Sequence, residues 1–195
     1  MSKHRVEAFT DGVIAIIITI MVLELQAPAG GDFADLWALR YRFLIYFVSF
    51  LTMAVYWNNH HHLFQVVSHV DGLVLWSNTG FLFASSLFPF ATAWVGAHHL
   101  TSFAPEMFYG GVVLLADLAY YALVQCLLRV NTRSNAVQKV LGKGYYYKPL
   151  TTIIGNVIAL LVGLLWAPLT IILDTLLLLL WVIPEKRIEQ HLQNQ

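Results

Sequence analysis

Charged residues are scarce in this sequence, and their scarcity indicates its class. Only 11% of the 195 residues are Asp, Glu, Lys or Arg, whereas a soluble domain carries about 25%. The mean hydropathy is +0.67, and 58% of the residues are hydrophobic. Eleven basic and eleven acidic residues cancel, so the charge balance gives no support for nucleic-acid binding. The composition is that of an integral membrane protein.

Cysteine and the motifs of soluble enzymes are also missing. The one cysteine, Cys126, cannot form an intrachain disulfide. There is no phosphate-binding P-loop, dinucleotide fingerprint, zinc-finger cysteine pair or Gly-x-Ser-x-Gly elbow. Glu7 and Asp11 interrupt the apolar stretch near the amino terminus, which argues against a signal peptide. We therefore expect neither an enzymatic activity nor a cofactor.

Long apolar segments are abundant. A membrane-spanning helix needs about 20 mostly apolar residues, and six segments meet or approach that length. They are Val6 to Leu25, Tyr41 to Trp57, Leu73 to Val95, Met107 to Leu128, Pro149 to Leu165, and Ala167 to Ile183. The last two are separated only at Trp166-Ala167-Pro168, where the proline predicts a tight hairpin. Pro89 predicts a kink in the third helix. The sequence therefore predicts an all-α integral membrane protein, residues 1–195, with six transmembrane helices and no soluble domain.

The basic residues predict the orientation, since cytoplasmic loops are enriched in Lys and Arg. An even number of helices places both termini on one side. With that side cytoplasmic, only Arg40 and Arg42 face outward. The other nine basic residues then face the cytoplasm, namely Lys3, Arg5, Arg129, Arg133, Lys139, Lys143, Lys148, Lys186 and Arg187. We expect a multi-pass protein of the cell membrane with cytoplasmic termini.

The first helix carries acids at both ends of its apolar stretch. Asp11 and Glu24 are separated by a segment of about 18 Å, shorter than the hydrocarbon core of about 30 Å. A carboxylate that faces lipid costs several kcal/mol, so helices of this kind turn their charged positions toward protein or water. We therefore expect this helix to lie inside the assembly rather than on its lipid-facing rim.

One face of the first helix combines large apolar residues with a hydroxyl. Ile16, Thr19 and Leu23 follow Gly12 at spacings of four, three and four, and Ile20 lies beside them. Such a face could form apolar constrictions and a hydroxyl ring around a pore. It could equally serve helix packing, with Thr19 bonding back to its own helix. The spacing alone leaves both interpretations open.

A motif at the start of this helix resembles the transmembrane protein 175 potassium channel family. The family hallmark is Arg-x-x-x-Phe-Ser-Asp, and here the corresponding run is Arg5-x-x-x-Phe9-Thr10-Asp11. The likeness continues through the second and third helices in Trp57-x-x-His60-His61-x-Leu63-Phe64, Leu75-Trp76-x-Asn78 and Leu87-Phe88-Pro89-Phe90-x-Thr92. Thr10 replaces the family's serine and keeps a hydroxyl.

The resemblance implies a homotetramer in the lipid bilayer, permeable to potassium and other monovalent cations, with the first helix of each chain lining the pore. It places the gate at Ile16, further apolar constrictions at Ile20 and Leu23, and the potassium-preferring hydroxyl layer at Thr19. Permeating potassium would pass near Thr19 and Ile16. Arg5 and Asp11, with Phe9 and Thr10, would hold the helix structurally. Because Arg5 and Asp11 are six residues apart, they cannot pair within one helix, and we expect their partners among His60, His61 and Asn78.

Several acids and histidines lie outside this scheme. Asp117 and Asp174 are lone acids within predicted spans, and Tyr120, Tyr121, Gln125 and Asn156 are possible partners for them. Glu24 could concentrate cations at the outer end of the pore helix. Consecutive residues of a helix point about 100° apart, so His60, His61 and His62 are unsuited to binding one tetrahedral metal. We expect no metal site. The alternative to a channel is a carboxylate-coupled proton or ion transporter that uses these intramembrane aspartates.

Overall fold

A computed structural model describes residues 2–132 and 143–182 of the chain, and within these ranges the ordered elements are helices. In chain order they are α1 (Lys3–Leu23), α2 (Phe33–Ala38), α3 (Arg40–Val66), α4 (Gly72–Ser85), α5 (Phe88–Ala97), α6 (Phe103–Val130), α7 (Lys143–Gly163) and α8 (Pro168–Val182). The predicted all-α architecture is confirmed, and α2 is a short addition to it. Arg133, Lys139, Lys186 and Arg187, on which part of the predicted orientation rests, lie outside the described residues.

The six predicted spans correspond to α1, α3, α4 with α5, α6, α7 and α8. Three segments are long and apolar enough to cross a membrane, namely Lys3–Leu23, Gly72–Ala97 and Phe103–Val130. Two shorter apolar helices, Lys148–Gly163 and Pro168–Trp181, follow them. The remaining helix, α3, has 27 residues but carries polar residues at both ends.

The predicted end of the second span at Trp57 is wrong, because α3 continues to Val66. The prediction stopped where the hydropathy falls, at the run from Asn58 to His62. Those polar residues stay helical because His60 packs into the protein interior together with Leu63 and Phe64, which lie one turn further along the helix. Trp57 is therefore an internal residue of the helix and not one at its end.

Helix breaks follow proline and capping chemistry. The third span divides between Ser85 and Phe88, with Pro89 in the first turn of α5, which confirms the predicted kink. Asp71 caps α4 by accepting a hydrogen bond of 2.9 Å from the Val74 amide. The hairpin between α7 and α8 lies where it was predicted, since α7 ends at Gly163 and α8 begins at Pro168.

The helices pack around α6, which contacts α4, α5, α7 and α8. Gly110 permits the close approach of α8, because a Cβ at this position would collide with the Thr170 side chain. The helix α1 packs on the other side of the molecule, against α3, α4 and α5. The interior between these groups is aromatic, with Phe64, Phe81, Phe88 and Tyr109 almost fully buried. This arrangement leaves one whole face of α1 free of contacts within the described part of the chain.

Candidate pore helix and its anchoring network

Helix α1 has one buried face and one exposed face. The buried face repeats at spacings of four, four, three and four, and it consists of Val6, Thr10, Ile14, Ile17 and Met21. These spacings follow the 3.6-residue period of an α-helix, so the five side chains form one stripe toward α3, α4 and α5. Every residue predicted for the constrictions and the hydroxyl layer lies outside this stripe.

The exposed face holds Ile16, Thr19, Ile20 and Leu23. Ile16 is 59% exposed and Leu23 is 72% exposed, whereas the neighbouring Ile17 is 3% exposed. The structure therefore places the four predicted residues together on the side of α1 that residues 2–132 and 143–182 leave uncovered.

Thr19 combines features of both interpretations that the sequence left open. Its hydroxyl donates a hydrogen bond of 2.7 Å to the Ala15 carbonyl of the same helix. A hydroxyl that donates one proton keeps its oxygen lone pairs as acceptors. Because the side chain is exposed, that oxygen is available to a cation from outside the chain. The bond within the helix thus fixes the proton and leaves the acceptor free.

A buried polar chain ties the opposite face of α1 to two other helices. Asn78 of α4 donates from Nδ2 to Thr10 Oγ1 at 2.9 Å, and its Oδ1 lies 3.0 Å from Nε2 of His60 on α3. All three side chains are at most 2% exposed. Because an amide oxygen only accepts, His60 donates from Nε2, which assigns its tautomer. We call this set Thr10, Asn78 and His60 the anchoring network.

A second contact holds Asp11 at the border between the two faces. Trp57 Nε1 donates to Asp11 Oδ1 at 2.8 Å, and the Trp57 ring stacks on His61 with the ring centroids 5.6 Å apart. The sequence predicted partners for Arg5 and Asp11 among His60, His61 and Asn78, but Trp57 is the residue that binds Asp11. The sequence did not indicate this contact, because the second span was predicted to end at Trp57. A tryptophan at the end of a membrane-spanning helix is typically interpreted as a membrane anchor.

Other motif residues lie on the exposed side. Arg5 and Phe9 are exposed, and within the described part of a single chain neither side chain has a hydrogen bond or a ring contact. Lys3, expected from the sequence only to contribute to the orientation, donates to the carbonyls of Phe64 and Val67 at 2.8 and 3.0 Å. It thereby satisfies carbonyls at the end of α3. The structural role of Arg5 stays a prediction.

The acids Asp117 and Asp174 lie elsewhere, in a cavity between α3, α6, α7 and α8. Asp117 accepts a hydrogen bond of 2.5 Å from the Tyr56 hydroxyl and another from the side-chain amide of Asn156. Asn156 was among the partners expected from the sequence, and Tyr56 was not. The two acids are therefore remote from the exposed face of α1. Among the residues that the structure describes, no group of three or more His, Cys, Asp and Glu could hold a metal ion.

Comparisons with known proteins agree with this architecture. The family model described as "Endosomal/lysosomal potassium channel TMEM175" matches residues 5–89. A potassium channel from Chryseobacterium sp. (strain P1-3) is 40% identical over 194 residues, which span 100% of both chains. The endosomal/lysosomal proton channel TMEM175 of Homo sapiens is 30% identical over a region that takes 68% of this chain and 36% of the human protein.

A solved structure shares the fold. The crystal structure of a lysosomal potassium-selective channel TMEM175 homolog from Chamaesiphon minutus superposes with a TM-score of 0.80 at 23% identity. The superposition covers 92% of this chain and 96% of the other. Together with the full-length relative, this likeness confirms that the chain is a multi-pass membrane protein of the TMEM175 family, a family of ion channels and not of enzymes.

Proposed function

We propose that the chain is a potassium-permeable cation channel that assembles as a homotetramer, with the exposed face of α1 from each subunit lining the pore. The observation that carries the proposal is the composition of that face. The described part of the single chain leaves it uncovered, and exposed acids, Asp11 and Glu24, lie at its two ends. Carboxylates are costly against lipid, so a face flanked by them requires water or protein opposite it.

The residues of this face have distinct roles in the proposal. Ile16 is the gate, and Ile20 and Leu23 form further apolar rings that exclude water when the pore is narrow. Thr19 lies between Ile16 and Ile20 in the sequence. The Thr19 hydroxyl oxygens of the four subunits offer acceptors that replace part of the hydration shell of potassium. The free acceptor geometry of Thr19 supports this assignment, because its proton is already committed to the Ala15 carbonyl.

The anchoring network has the complementary role of holding α1 at a fixed rotation. Thr10, Asn78 and His60 satisfy one another in a buried environment, and a rotation of α1 would leave them without partners. The network therefore keeps Ile16, Thr19 and Leu23 pointed at the axis of the assembly.

The membrane and the orientation also belong to this proposal. We place the protein in the cell membrane with cytoplasmic termini, since the full-length relative is bacterial and the human relative is a longer protein. Among the described residues, Lys3 and Arg5 at the start of α1 lie with Arg129 at the end of α6 on this side, and Arg40 and Arg42 lie at the opposite end.

The oligomer and the flux test the proposal together. The purified protein should have the mass of four chains in detergent, and proteoliposomes should conduct potassium passively without a pH gradient. Monomeric protein, or liposomes that conduct no potassium, would refute it.

The runner-up function, carboxylate-coupled transport, rests on the meeting of Asp117 and Asp174 in one cavity. It predicts saturable potassium uptake that requires a pH gradient and is lost in Asp117→Asn. The location of these acids away from the exposed face of α1 favours the channel.

A further inference from the structure

A small cavity lies inside the helix bundle, away from α1. Helices α3, α6, α7 and α8 enclose it, and its volume is about 40 Å³. Most of its wall is apolar, but Tyr56, Tyr109, Asp117, Asn156 and Asp174 contribute polar atoms. About 10–15 Å³ suffices for one water molecule, so the cavity can hold an ion of similar size.

Three acceptor oxygens in this cavity have no donor. Asp174 is 93% buried, being 7% exposed, and neither of its carboxylate oxygens has a hydrogen-bond partner within the described part of the chain. The side-chain oxygen of Asn156 also lacks a partner, because the amide nitrogen of this residue is the group that binds Asp117. Buried acceptors without donors are costly, and three of them around one cavity point to something that binds there.

The charge in the cavity is likewise uncompensated. Two carboxylates line it, and no Lys, Arg or His is among its lining residues. Among the described basic residues, Lys148 has its ammonium 5.1 Å from the centre of the ring of Trp181, one of the lining residues. Two carboxylates buried in a membrane protein without a positive partner are strongly unfavourable. The cavity therefore requires a positive charge.

We propose that this cavity binds one small monovalent cation, such as Na⁺ or K⁺, between Asp174, Asp117 and the side-chain oxygen of Asn156. A proton on Asp174 would donate only one hydrogen bond and would leave other acceptors unsatisfied. An ion would be contacted by all of them at once, and carboxylate and amide oxygens are ligands that hard cations take in proteins. The site is separate from the pore and does not depend on the proposed pore function.

One end of the cavity lies toward the side of the molecule that carries the amino terminus. Asn59 in the last third of α3, Pro149 near the start of α7 and Trp181 at the end of α8 line that side. The end of α3 is close to Lys3, which donates to the Val67 carbonyl. A cation would enter from this side, along α3 and α8, and reach Asp174 near the middle of the bundle.

Thermal unfolding of the full chain in detergent tests the site. The ionic strength is held constant while N-methylglucamine chloride is replaced by NaCl or KCl. We expect the unfolding temperature to rise by about 5–10 °C at a cation concentration of about 100 times Kd. Asp174→Asn should need at least tenfold more cation for the same shift, by the loss of one charged ligand (~1.4 kcal/mol). Without the cation this variant should be no less stable than the parent, because it removes an uncompensated charge.

Matched variants separate this site from others. Asp71→Asn removes the same charge from an exposed helix start, where asparagine caps equally well, and it should respond to the cation like the parent. Thr19→Ala in the pore should also keep the response. Equilibrium binding of ²²Na⁺ or ⁸⁶Rb⁺ to the unmodified protein and to Thr19→Ala should approach one ion per chain, whereas a site on the pore axis would give one ion per four chains.

Three results would overturn the proposal. The first is an unfolding temperature that does not depend on the cation in the parent protein. The second is a cation response that Asp174→Asn retains unchanged. The third is stabilisation by acid alone, which would show that a proton and not a cation compensates the two carboxylates.

Discussion

The two faces of α1 are made of similar residues and differ in what covers them. Both are rich in isoleucine, and each contains one threonine. Thr10 on the inner face is buried and bonded to Asn78 of another helix, whereas Thr19 on the outer face is exposed and bonded to the Ala15 carbonyl of its own helix. Ile17 is covered by the chain, and Ile16 beside it is not. The comparison teaches that the inner face holds the helix, whereas the outer face is left uncovered by the described part of the chain.

A second exposed apolar face shows why exposure alone does not indicate a pore. Leu176, Leu179 and Leu180 of α8 are about half exposed, but the acid of that helix, Asp174, is turned inward and buried. Helix α1 does the reverse, since it exposes Asp11 and Glu24 and buries only uncharged residues. An exposed leucine face without acids suits lipid, and an exposed face flanked by acids suits water. Variants of the two faces of α1, compared with variants of α8, can therefore test this distinction.

The largest expected effect lies on the inner face. Asn78→Ala removes two buried hydrogen bonds and leaves Thr10 and His60 without their partners, which should lower the free energy of unfolding by about 2–4 kcal/mol. Thermal or denaturant unfolding in detergent measures this loss. Asn58→Ala is the matched control at an exposed position of α3 and should change stability by less than about 0.5 kcal/mol. Equal losses in both variants would show that the anchoring network contributes nothing.

The next effect belongs to the outer face. Ile16→Asn should hydrate the gate and raise potassium flux in proteoliposomes about tenfold, which corresponds to about 1.4 kcal/mol of barrier. Stability should change little, because Ile16 is exposed in the chain. Leu179→Asn likewise introduces an asparagine, but on the exposed face of α8, and it should leave the flux per tetramer unchanged. A flux that responds equally to both variants would remove the distinction between the two helices.

A smaller effect is expected for selectivity. Thr19→Ala removes one hydroxyl ligand from each subunit and should reduce the preference for potassium over sodium about fivefold, or about 1 kcal/mol. Reversal potentials in mixed solutions measure the ratio. Thr79 of α4 is the matched control, because it is also exposed and also donates to the carbonyl four residues earlier, that of Leu75. Thr79→Ala should keep the parent ratio, and an unchanged ratio in Thr19→Ala would mean that the hydroxyl layer lies elsewhere.

The smallest effect concerns the border between the faces. Trp57→Phe deletes the hydrogen bond to Asp11 while keeping a ring to stack on His61. Because both residues are partly exposed, we expect a loss of about 0.5–1 kcal/mol in unfolding free energy. Trp76→Phe at a more exposed position of α4 serves as the control, with no expected change. If the unfolding free energy changes equally in the two variants, the hydrogen bond from Trp57 to Asp11 contributes nothing to stability.

Much of the fold followed from local chemistry. Pro89 and Pro168 set helix breaks through their own backbone geometry, so the sequence near each of them was sufficient to predict these breaks. The end of α3 was not predictable in this way. Hydropathy falls after Trp57, and only tertiary packing of the face that carries His60 keeps the following residues helical.

The candidate site was likewise predictable only in part from the sequence. The outer face of α1 was identified from helical spacing together with the family motif, and the structure brings its four residues together. Both acids find their partners on α3. Asp11 is bound by Trp57, 46 residues away in the sequence, and Asp117 is bound by Tyr56, 61 residues away. Such long-range pairs depend on how helices are rotated against one another. A single sequence contains no direct signal for that rotation.

Silver block of cysteine variants tests the central claim that the outer face of α1 lines the ion path. Ag⁺ is a monovalent cation that binds thiolates, and a Cys126→Ala background leaves no native cysteine. We predict that Ag⁺ blocks potassium flux through Ile16→Cys and Thr19→Cys and leaves flux through Ile17→Cys and Leu179→Cys unchanged. Block of Ile17→Cys, or flux through Thr19→Cys that resists Ag⁺, would contradict the account.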